Sequence, residues 1–434
     1  MTTQRRTICL TFAAILLAAH LQAQTVDGSL DQISGLSLDD AVARALANEP
    51  SLRAARSEVD VVLGTMRQAD VRSNPTLTFE HRREPAGTDK ATTAGIEWPL
   101  ELFRRSGRRE TTQREVSAAQ LSLADRERLL AAEVRLAYGR AAAANRERVV
   151  AEDVVNTVRK QFELIAARVE EGAAPPLDRD RLDVELRRLQ AESIRAAGRS
   201  GIAIVELKRR IGARPDEVVT LRDSLEMLVV GSSASSPDSN TTASAVRSDV
   251  AAAEARIAVA DARIEQVRGE GKVDVSLVGA YMRMDAGFPQ SGFDDFGRLA
   301  PVRGRFNYVS AGAMVTVPLF NRNEGLADAA RAERASAEAR RDAVVLAAQA
   351  ETAIARVQIA NAQKALDLYS GEARTLARRN VDVVRQTFEL GRATAIDVIT
   401  EQRRYLEFEQ GATAAMQDLW EARVAVARAV GETK

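Results

Sequence analysis

The sequence has almost none of the side chains on which most enzyme active sites depend. Its 434 residues include one cysteine, Cys9, and two histidines, His20 and His81. Cys9 and His20 lie in an N-terminal segment that we expect to be removed, so the mature chain keeps one imidazole and no thiol. This excludes cysteine nucleophiles, disulfides and Cys/His zinc sites, and a Ser-His-Asp triad would depend on His81 alone. We therefore expect no enzyme, no bound metal and no cofactor.

The sequence also lacks an excess of charge and is poor in aromatic residues. It has 61 Lys and Arg residues against 61 Asp and Glu residues, and aromatic residues make up 4% of the chain. Nucleic-acid-binding proteins usually carry a basic excess or a basic stripe. We therefore expect no nucleic-acid partner. Hydrophobic residues, at 45%, are sufficient for a buried core.

Long apolar runs are absent after residue 23, where none reaches the ~20 residues of a membrane-spanning helix. Before that point, Arg5 and Arg6 precede an apolar stretch from Ile8 to Leu21 that is followed by Ala23. This pattern is typical of a secretory signal peptide. We predict that residues 1–23 are this peptide. If the mature chain crosses a membrane, it must then do so as β-strands in a closed barrel.

What the sequence does contain is an internal repeat with a constant offset of 219 residues, the difference between positions 172 and 391. Because three separate landmarks keep this offset, we interpret the chain as a duplicated half-protein. We place the first repeat at 24–228, a polar linker at 229–244 and the second repeat at 245–434. The matching landmarks are Pro99 and Pro318, Gly172 and Gly391, and Gly212 and Gly431.

Each half has the same predicted order of elements, which is a helix, two strands, a very long helix and a further helix. The long helix of the first half has an apolar residue at every seventh position from Val116 to Ile165, which is typical of a coiled coil. A helix of this length spans ~100 Å. A long loop is predicted at 285–305. The predicted elements are 38–72, 76–84, 91–98, 103–174 and 177–211, then 245–268, 273–284, 306–317, 323–390 and 396–430.

The predicted strands each have one apolar face. In the first strand Leu77 and Phe79 alternate with threonine and glutamate, and in the second Ile96 and Trp98 alternate with glycine and glutamate. Strands of this length with one apolar face fit a transmembrane barrel, but a soluble hairpin with one apolar face is the alternative. Four strands cannot close a barrel, so several chains must contribute. The predicted lipid-facing residues are Leu77, Phe79, Ile96, Trp98, Val315 and Val317.

These features together resemble the TolC-like outer-membrane efflux proteins over about residues 36–432. The most specific segment is 390–399, Leu-Gly-Arg-Ala-Thr-Ala-Ile-Asp-Val-Ile, which is similar to the family's turn Gly-x-x-Ser/Thr-x-apolar-Asp-Val-Leu. The first-half copy keeps Gly172 and Asp178 but has proline in place of the Ser/Thr. Segments 73–77 and 98–102, with basic residues following, are similar to the branch that serves heavy-metal cation efflux. Phe103-Arg104-Arg105 interrupts that branch's usual pattern, so heavy-metal cations and drugs or other small molecules both stay open as cargo.

The resemblance implies a fold that is mainly α with β. Three chains would form a 12-stranded transmembrane barrel, four strands per chain, continued by a long coiled-coil helical barrel. The function implied is an exit duct of a tripartite efflux system, located in the outer membrane and extending into the periplasm. The implied partners are two further copies of the chain, a periplasmic adaptor, an inner-membrane pump expected to be proton-driven, and outer-membrane lipid.

The resemblance also implies a periplasmic gate, with Asp397 at the constriction, Arg392 near it and Thr400 in place of a second acidic residue. The two glycine turns lie at the far ends of the long helices from the barrel, where a partner spanning the periplasm would meet the duct. We therefore predict adaptor-docking tips at Gly172, Ala173, Leu390 and Gly391. The alternative function is a secreted or periplasmic coiled-coil scaffold without channel activity.

Overall fold

The computed structural model describes residues 30–31, 33–85, 89–231 and 247–431. The predicted signal peptide and most of the predicted linker lie outside these residues. The elements in chain order are α1 (Leu38–Asn48), α2 (Pro50–Asp70), β1 (Thr76–Arg83), β2 (Lys90–Pro99), α3 (Arg104–Glu170), α4 (Pro176–Arg210), α5 (Leu225–Gly231), α6 (Ser248–Glu270), β3 (Asp274–Phe293), β4 (Leu299–Thr316), α7 (Glu324–Tyr369), α8 (Glu372–Glu389) and α9 (Ala395–Val430).

The four strands form one antiparallel sheet in the order β1-β2-β3-β4. The helices that flank these strands keep the same neighbours, since α2 packs on α3, α3 on α6 and α6 on α7. The central helix, α3, has 67 residues and is ~100 Å long. The sheet therefore continues into one layer of long helices, and α4, α8 and α9 complete the layer further from the sheet.

The helix predicted at 38–72 is two helices, because Pro50 interrupts it. Proline has no amide hydrogen to donate and is favoured in the first turn of a helix. Glu49 stands before it with extended backbone, and its side chain accepts a hydrogen bond from the amide of Leu52 at 2.8 Å. The prediction of one helix was wrong at this point.

The long helix predicted at 323–390 is also interrupted, between α7 and α8. Gly371 has φ 64° and ψ −120°, a backbone conformation that favours glycine. The ring of Tyr369 lies 5.3 Å from that of Phe408 on α9. It also covers Gly411, where a Cβ atom would come within 2.7 Å of the tyrosine hydroxyl. The corresponding position in the first half, Glu152, lies inside the unbroken α3.

The segment 285–305 is not the loop that the sequence predicted. Strand β3 continues to Phe293 and β4 begins at Leu299, so only residues 294–298 form the turn. The two strands stay paired beyond a register shift between Gly287 and Ser291. Phe288 packs edge-on against Phe306, with ring centroids 6.0 Å apart. The second hairpin is therefore a long ribbon.

Two further features were not predicted. Helix α5 lies at the end of the first repeat and packs on α3 and α9. One 18-residue window between Glu324 and Glu389 is apolar enough to span a membrane by length and composition, with a mean hydropathy of 1.2. Only 6% of that window is buried within the chain.

The main core lies where α1, α3, α4, α5 and α9 meet. There Gly139 of α3 lies against Trp420 of α9, whose indole nitrogen donates a hydrogen bond to the carbonyl of Arg135 at 2.9 Å. A Cβ atom on Gly139 would come within 2.1 Å of the indole ring. The two helices therefore approach closely only because residue 139 has no side chain.

Candidate functional site

Two turns, which we call the helical tips, join α3 to α4 and α8 to α9 at the ends of these helices that lie away from the sheet. In the first tip (171–175), Gly172 has φ 72°. Its amide donates to the carbonyl of Val169 at 3.1 Å, and the amide of Ala173 donates to the carbonyl of Arg168 at 2.7 Å. This pair of bonds is the Schellman ending of a helix.

The second tip (390–394) repeats this geometry. Gly391 has φ 74°, its amide donates to Phe388 at 2.9 Å, and the amide of Arg392 donates to Thr387 at 2.9 Å. Each bond lies 219 residues after its counterpart in the first tip. A Cβ atom on Gly172 or Gly391 would meet nothing within 4 Å, so backbone conformation alone requires glycine at both tips.

The start of α9 holds Asp397 in a capping box with Thr394. The Asp397 amide donates to the threonine hydroxyl at 3.3 Å, while the Asp397 carboxylate accepts from the Thr394 amide at 2.9 Å and from its hydroxyl at 2.7 Å. The backbone and hydroxyl bonds from Thr394 lower the pKa of Asp397. Asp397, Arg392 and Thr400 are all exposed. Within the described part of the chain, Asp397 makes no ion pair with an arginine.

The start of α4 differs from the start of α9. Pro175 occupies the position of Thr394, and no side chain caps the helix. Asp178, the counterpart of Asp397, lies 3.7 Å from the guanidinium of Arg181. The duplication therefore keeps the turn but changes the chemistry of the acidic residue beside it.

An arginine that the sequence did not single out connects the two tips. The guanidinium of Arg168, in the last turn of α3, donates to the carbonyl of Phe388 at 3.1 Å and also to the carbonyl of Glu389. These carbonyls end α8, where helices leave acceptors without partners. Arg168 thus brings Gly172 and Ala173 of the first tip close to Leu390 and Gly391 of the second. In the sequence, the only sign of this role was that Arg168 is a basic residue near the predicted end of a helix.

A second connection, also missed, joins α4 to α9. Glu185 is buried, and its carboxylate accepts from the guanidinium of Arg403 at 2.5 Å and 3.1 Å. Arg188 on the same helix donates to it at 2.7 Å. Burial opposes ionisation, but the bonds from Arg403 and Arg188 outweigh it, so the pKa of Glu185 lies below its usual value.

Beside this ion pair a groove of about 480 Å³ runs between the first turns of α4 and α9. Its walls include the aliphatic residues Leu177 and Val184 of α4, which are 55% and 69% exposed. On α9 it is lined by Ile396, Ile399 and Thr400. Charged residues also line the groove, so Thr400 lies among both aliphatic and charged side chains and faces the other half of the chain; these charged residues are Asp180, Arg181, Glu185 and Arg403.

The sheet register places the six predicted lipid-facing residues on one face. Leu77 pairs with Ile96, and Trp98 pairs with Leu277, which in turn pairs with Ala313. Because cross-strand partners share a face and side chains alternate, Phe79 and Val315 fall on the same side, and Val317, the first residue after β4, continues the alternation. All six are exposed in the chain: Leu77, Phe79, Ile96, Trp98, Val315 and Val317.

This apolar face is bounded at both ends by aromatic and polar groups. At one end the Trp98 indole donates to the carbonyl of Ser73 at 3.2 Å. At the other, the Tyr281 hydroxyl donates to Asn307 at 2.8 Å, and the ion pair of Arg305 and Asp285, at 3.0 Å, follows beyond it. An apolar band between aromatic residues is the pattern of an outer-membrane barrel wall.

Sequence comparison agrees with this arrangement. A family model described as outer membrane efflux protein matches residues 41–213 and 241–432. The chain belongs to the outer membrane efflux protein family. It is an efflux exit duct of the kind used in tripartite systems, and it lies in the outer membrane and extends into the periplasm. No curated protein sequence matches the chain.

Solved channels of this family share the fold. The channel CusC is 15% identical with a TM-score of 0.70, covering 91% of this chain and 92% of CusC. VceC from Vibrio cholerae is 17% identical with a TM-score of 0.68, covering 91% and 96%. MtrE of Neisseria gonorrhoeae, in its open state, is 17% identical with a TM-score of 0.67, covering 91% and 89%. The predicted fold class, a barrel continued by a helical tunnel from duplicated halves, is confirmed.

Family membership favours the duct over the coiled-coil scaffold. The family is a channel family and not an enzyme family. Among the residues that the structure describes, no group of three or more His, Cys, Asp or Glu side chains is arranged to hold a metal ion.

Proposed function

We propose that the protein works as a homotrimer whose three chains close one 12-stranded barrel. The observation that carries this is the four-stranded sheet, which has an unpaired edge at β1 and another at β4. Unpaired edges must be covered in a membrane, because lipid offers no hydrogen bonds. Pairing β4 of one chain with β1 of the next removes every edge when the ring closes.

The helical layer supports the same assembly. Helix α7 carries exposed aliphatic side chains, among them Leu346, Ile354 and Val357, which are 68%, 56% and 61% exposed. This helix lies at the end of the layer formed by α2, α3, α6 and α7. A neighbouring chain that joins through β4 brings its own helices to this face, and their contact would bury the aliphatic side chains.

We propose that the helical tips dock a periplasmic adaptor, which links the duct to an inner-membrane pump that is expected to be proton-driven. Leu390, 72% exposed at the end of α8, supports this because its side chain is largely open to solvent among the residues that the structure describes. Gly172, Ala173 and Gly391 shape the turns that present it. In this assembly the duct is a passive conduit that performs no catalysis.

We further propose that Asp397, Arg392 and Thr400 form the periplasmic gate. Asp397 is exposed and ionised, and its capping box fixes its position at the start of α9. Three copies in a trimer would bring three carboxylates near the tunnel axis, where cations bind and like charges repel. The exposed Arg392 of a neighbouring chain is the partner that a closed gate would use.

The test of the docking proposal is the variant Leu390→Glu. This substitution should leave the backbone unchanged, because the Leu390 side chain points to solvent. We expect outer-membrane fractions of this variant to contain normal amounts of trimer. The trimer should be heat-modifiable, as in the wild type. We expect loss of adaptor cross-linking and loss of resistance to exported compounds in cells, since a charge would replace the apolar contact.

The matched control is Ile202→Glu on α4, also an exposed aliphatic residue (64%) but ~40 Å along the helix from the tip. It should keep both cross-linking and resistance. Full export by Leu390→Glu would contradict docking at the tips. Migration of the unheated wild type as a monomer would contradict the homotrimer.

A further inference from the structure

A pocket lies where the sheet meets the helices, and we call it the junction pocket. It has a volume of about 350 Å³ and lies between the start of α3, the end of α6 and the segment that connects β4 to α7. Val273, at its edge, continues the alternation of Val275 and Leu277 and thus belongs to the outward face of the sheet. The lining residues are Phe103, Gly271, Lys272, Val273, Pro318 and Arg322.

The junction pocket contains two cations without a carboxylate partner. The ammonium of Lys272 lies 5.3 Å from the centre of the Phe103 ring. Among the described residues, neither Lys272 nor the exposed Arg322 forms an ion pair. A nearby carboxylate is occupied, since Asp274 pairs with Arg104 at 3.1 Å. Neither cation therefore has a carboxylate within 4 Å among the described residues, which leaves both available to an anion.

The surroundings of these cations are apolar and, in the single chain, exposed to solvent. Leu319 is 66% exposed, Phe320 is fully exposed at 102%, and Phe103 is 44% exposed. These three residues follow the end of the apolar band that lies nearest the helices, close to Trp98 and Val317. A water-soluble anion would leave these side chains in water, whereas a molecule with both an anionic group and alkyl chains would cover them.

We propose that the junction pocket binds the phosphate of an anionic phospholipid in the leaflet that faces the periplasm. This rests on the proposed insertion of the barrel, since the pocket lies at headgroup depth only if the apolar band spans the membrane. Lys272 and Arg322 pair with the phosphate, and the acyl chains lie against Val273, Leu319 and Phe320. Cations beside an anionic membrane surface favour such contacts, and salt weakens them.

The experiment uses purified full-length trimers in nanodiscs of equal phosphatidylglycerol and phosphatidylcholine. Lipids retained after detergent extraction are counted by native mass spectrometry. We expect the wild type to retain phosphatidylglycerol about tenfold over phosphatidylcholine at low salt, in line with two cations at an anionic surface. The double variant Lys272→Gln/Arg322→Gln should lose this preference.

The matched control is Lys160→Gln/Arg356→Gln, which removes the same charge from α3 and α7 at exposed sites ~50 Å or more from the sheet ends of those helices. It should keep the wild-type preference. If the pocket variant and the wild type prefer phosphatidylglycerol equally, the proposal is overturned. Displacement of the lipid by millimolar inorganic phosphate would also overturn it. If the double variant does not form trimers, each single substitution should still reduce the preference severalfold.

Channel conductance of the same preparations separates the two proposals. Trimers that conduct but show no lipid preference would overturn the lipid site and leave the duct intact. Wild-type protein that neither forms trimers nor conducts would overturn the proposed function itself.

Discussion

At the scale of single residues, one carboxylate can both stabilise a helix and line a tunnel. Asp397 bonds to Thr394 through one carboxylate oxygen, which leaves the other oxygen free to face solvent. Its counterpart Asp178 is instead close to Arg181. The two aspartates look equivalent in the sequence, but among the described residues Asp178 has an arginine nearby and Asp397 has none within ion-pair distance.

The variant Asp397→Asn tests whether that charge closes the gate. Asparagine keeps an acceptor for the Thr394 bonds but removes the charge, so we expect higher resting conductance and weaker block by divalent cations in planar bilayers. Because the Thr394 bonds lower the pKa of Asp397, block in the wild type should persist below the usual range of a carboxyl group. Asp178→Asn is the control and should behave as wild type. Unchanged conductance in Asp397→Asn would leave this residue as a cap only.

The close contact of Gly139 with Trp420 leads to a prediction about packing. In Gly139→Ala the new methyl group would overlap the Trp420 ring, and overpacking of a helix contact costs about 1–3 kcal/mol. We expect a lower melting temperature of the trimer, followed by circular dichroism. Gly198→Ala on α4 is the control, since a Cβ atom there meets nothing within 4 Å. That change should stabilise the helix by about 0.5–1 kcal/mol. Equal melting temperatures would mean that α3 and α9 can separate to admit the methyl group.

At the scale of elements, the sequence predicted most of what depends on periodicity and missed contacts between distant segments, together with one local signal, the helix break at Pro50. The heptads of α3 and the alternation in β1 and β2 gave the correct elements, because both patterns are local. The break at Gly371 was missed because a lone glycine is tolerated within a helical pattern. Tyr369 packs there against α9, which is distant in sequence. Arg168 and Glu185 were missed for the same reason, since their partners lie on another repeat.

The ion pair of Glu185 and Arg403 predicts a specific pH dependence. The pKa of Glu185 is lower in the folded chain than in the unfolded chain, so the pair stabilises the fold above the ordinary carboxyl pKa. That contribution is lost as the pH falls through the folded value. We expect Glu185→Gln to melt several degrees below the wild type at pH 7, and the gap to close in acid. Melting curves at pH 7, 5, 4 and 3 measure this.

The control for this series is Glu163→Gln on α3, an exposed residue whose loss should leave the melting curve at the wild-type position at every pH. A gap between Glu185→Gln and the wild type that stays constant with pH would show that packing, and not the charge, carries the contribution of Glu185.

At the scale of the whole molecule, the second hairpin sets the topology. Its strands have 20 and 18 residues, against 8 and 10 in the first hairpin, and they extend past the ion pair of Arg305 and Asp285. Long connections of outer-membrane barrels lie outside the cell, whereas periplasmic ones are short. We therefore expect the extra length to lie on the extracellular side.

An epitope inserted after Asp295, in the turn of that hairpin, should be detected by antibody on intact cells. The turn is suitable because its ends are fixed by the bond from the Asp294 amide to the Arg298 carbonyl at 2.8 Å. The same epitope inserted after Asp216, in the loop that follows α4, should stain only permeabilised cells. Staining of the two insertions in the reverse order would invert the orientation of the chain.

The matching lengths of the two halves limit how this chain can evolve. From the sheet to the tips, α3 runs from Arg104 to Glu170, and α7 and α8 together run from Glu324 to Glu389, so that Gly172 and Gly391 stay at the same level. One residue inserted into one half alone would move its tip by about 1.5 Å and rotate it by about 100°. Gains and losses of length in the helices must therefore occur in both halves together. The hairpins carry no such restriction, and the two hairpins already differ in length.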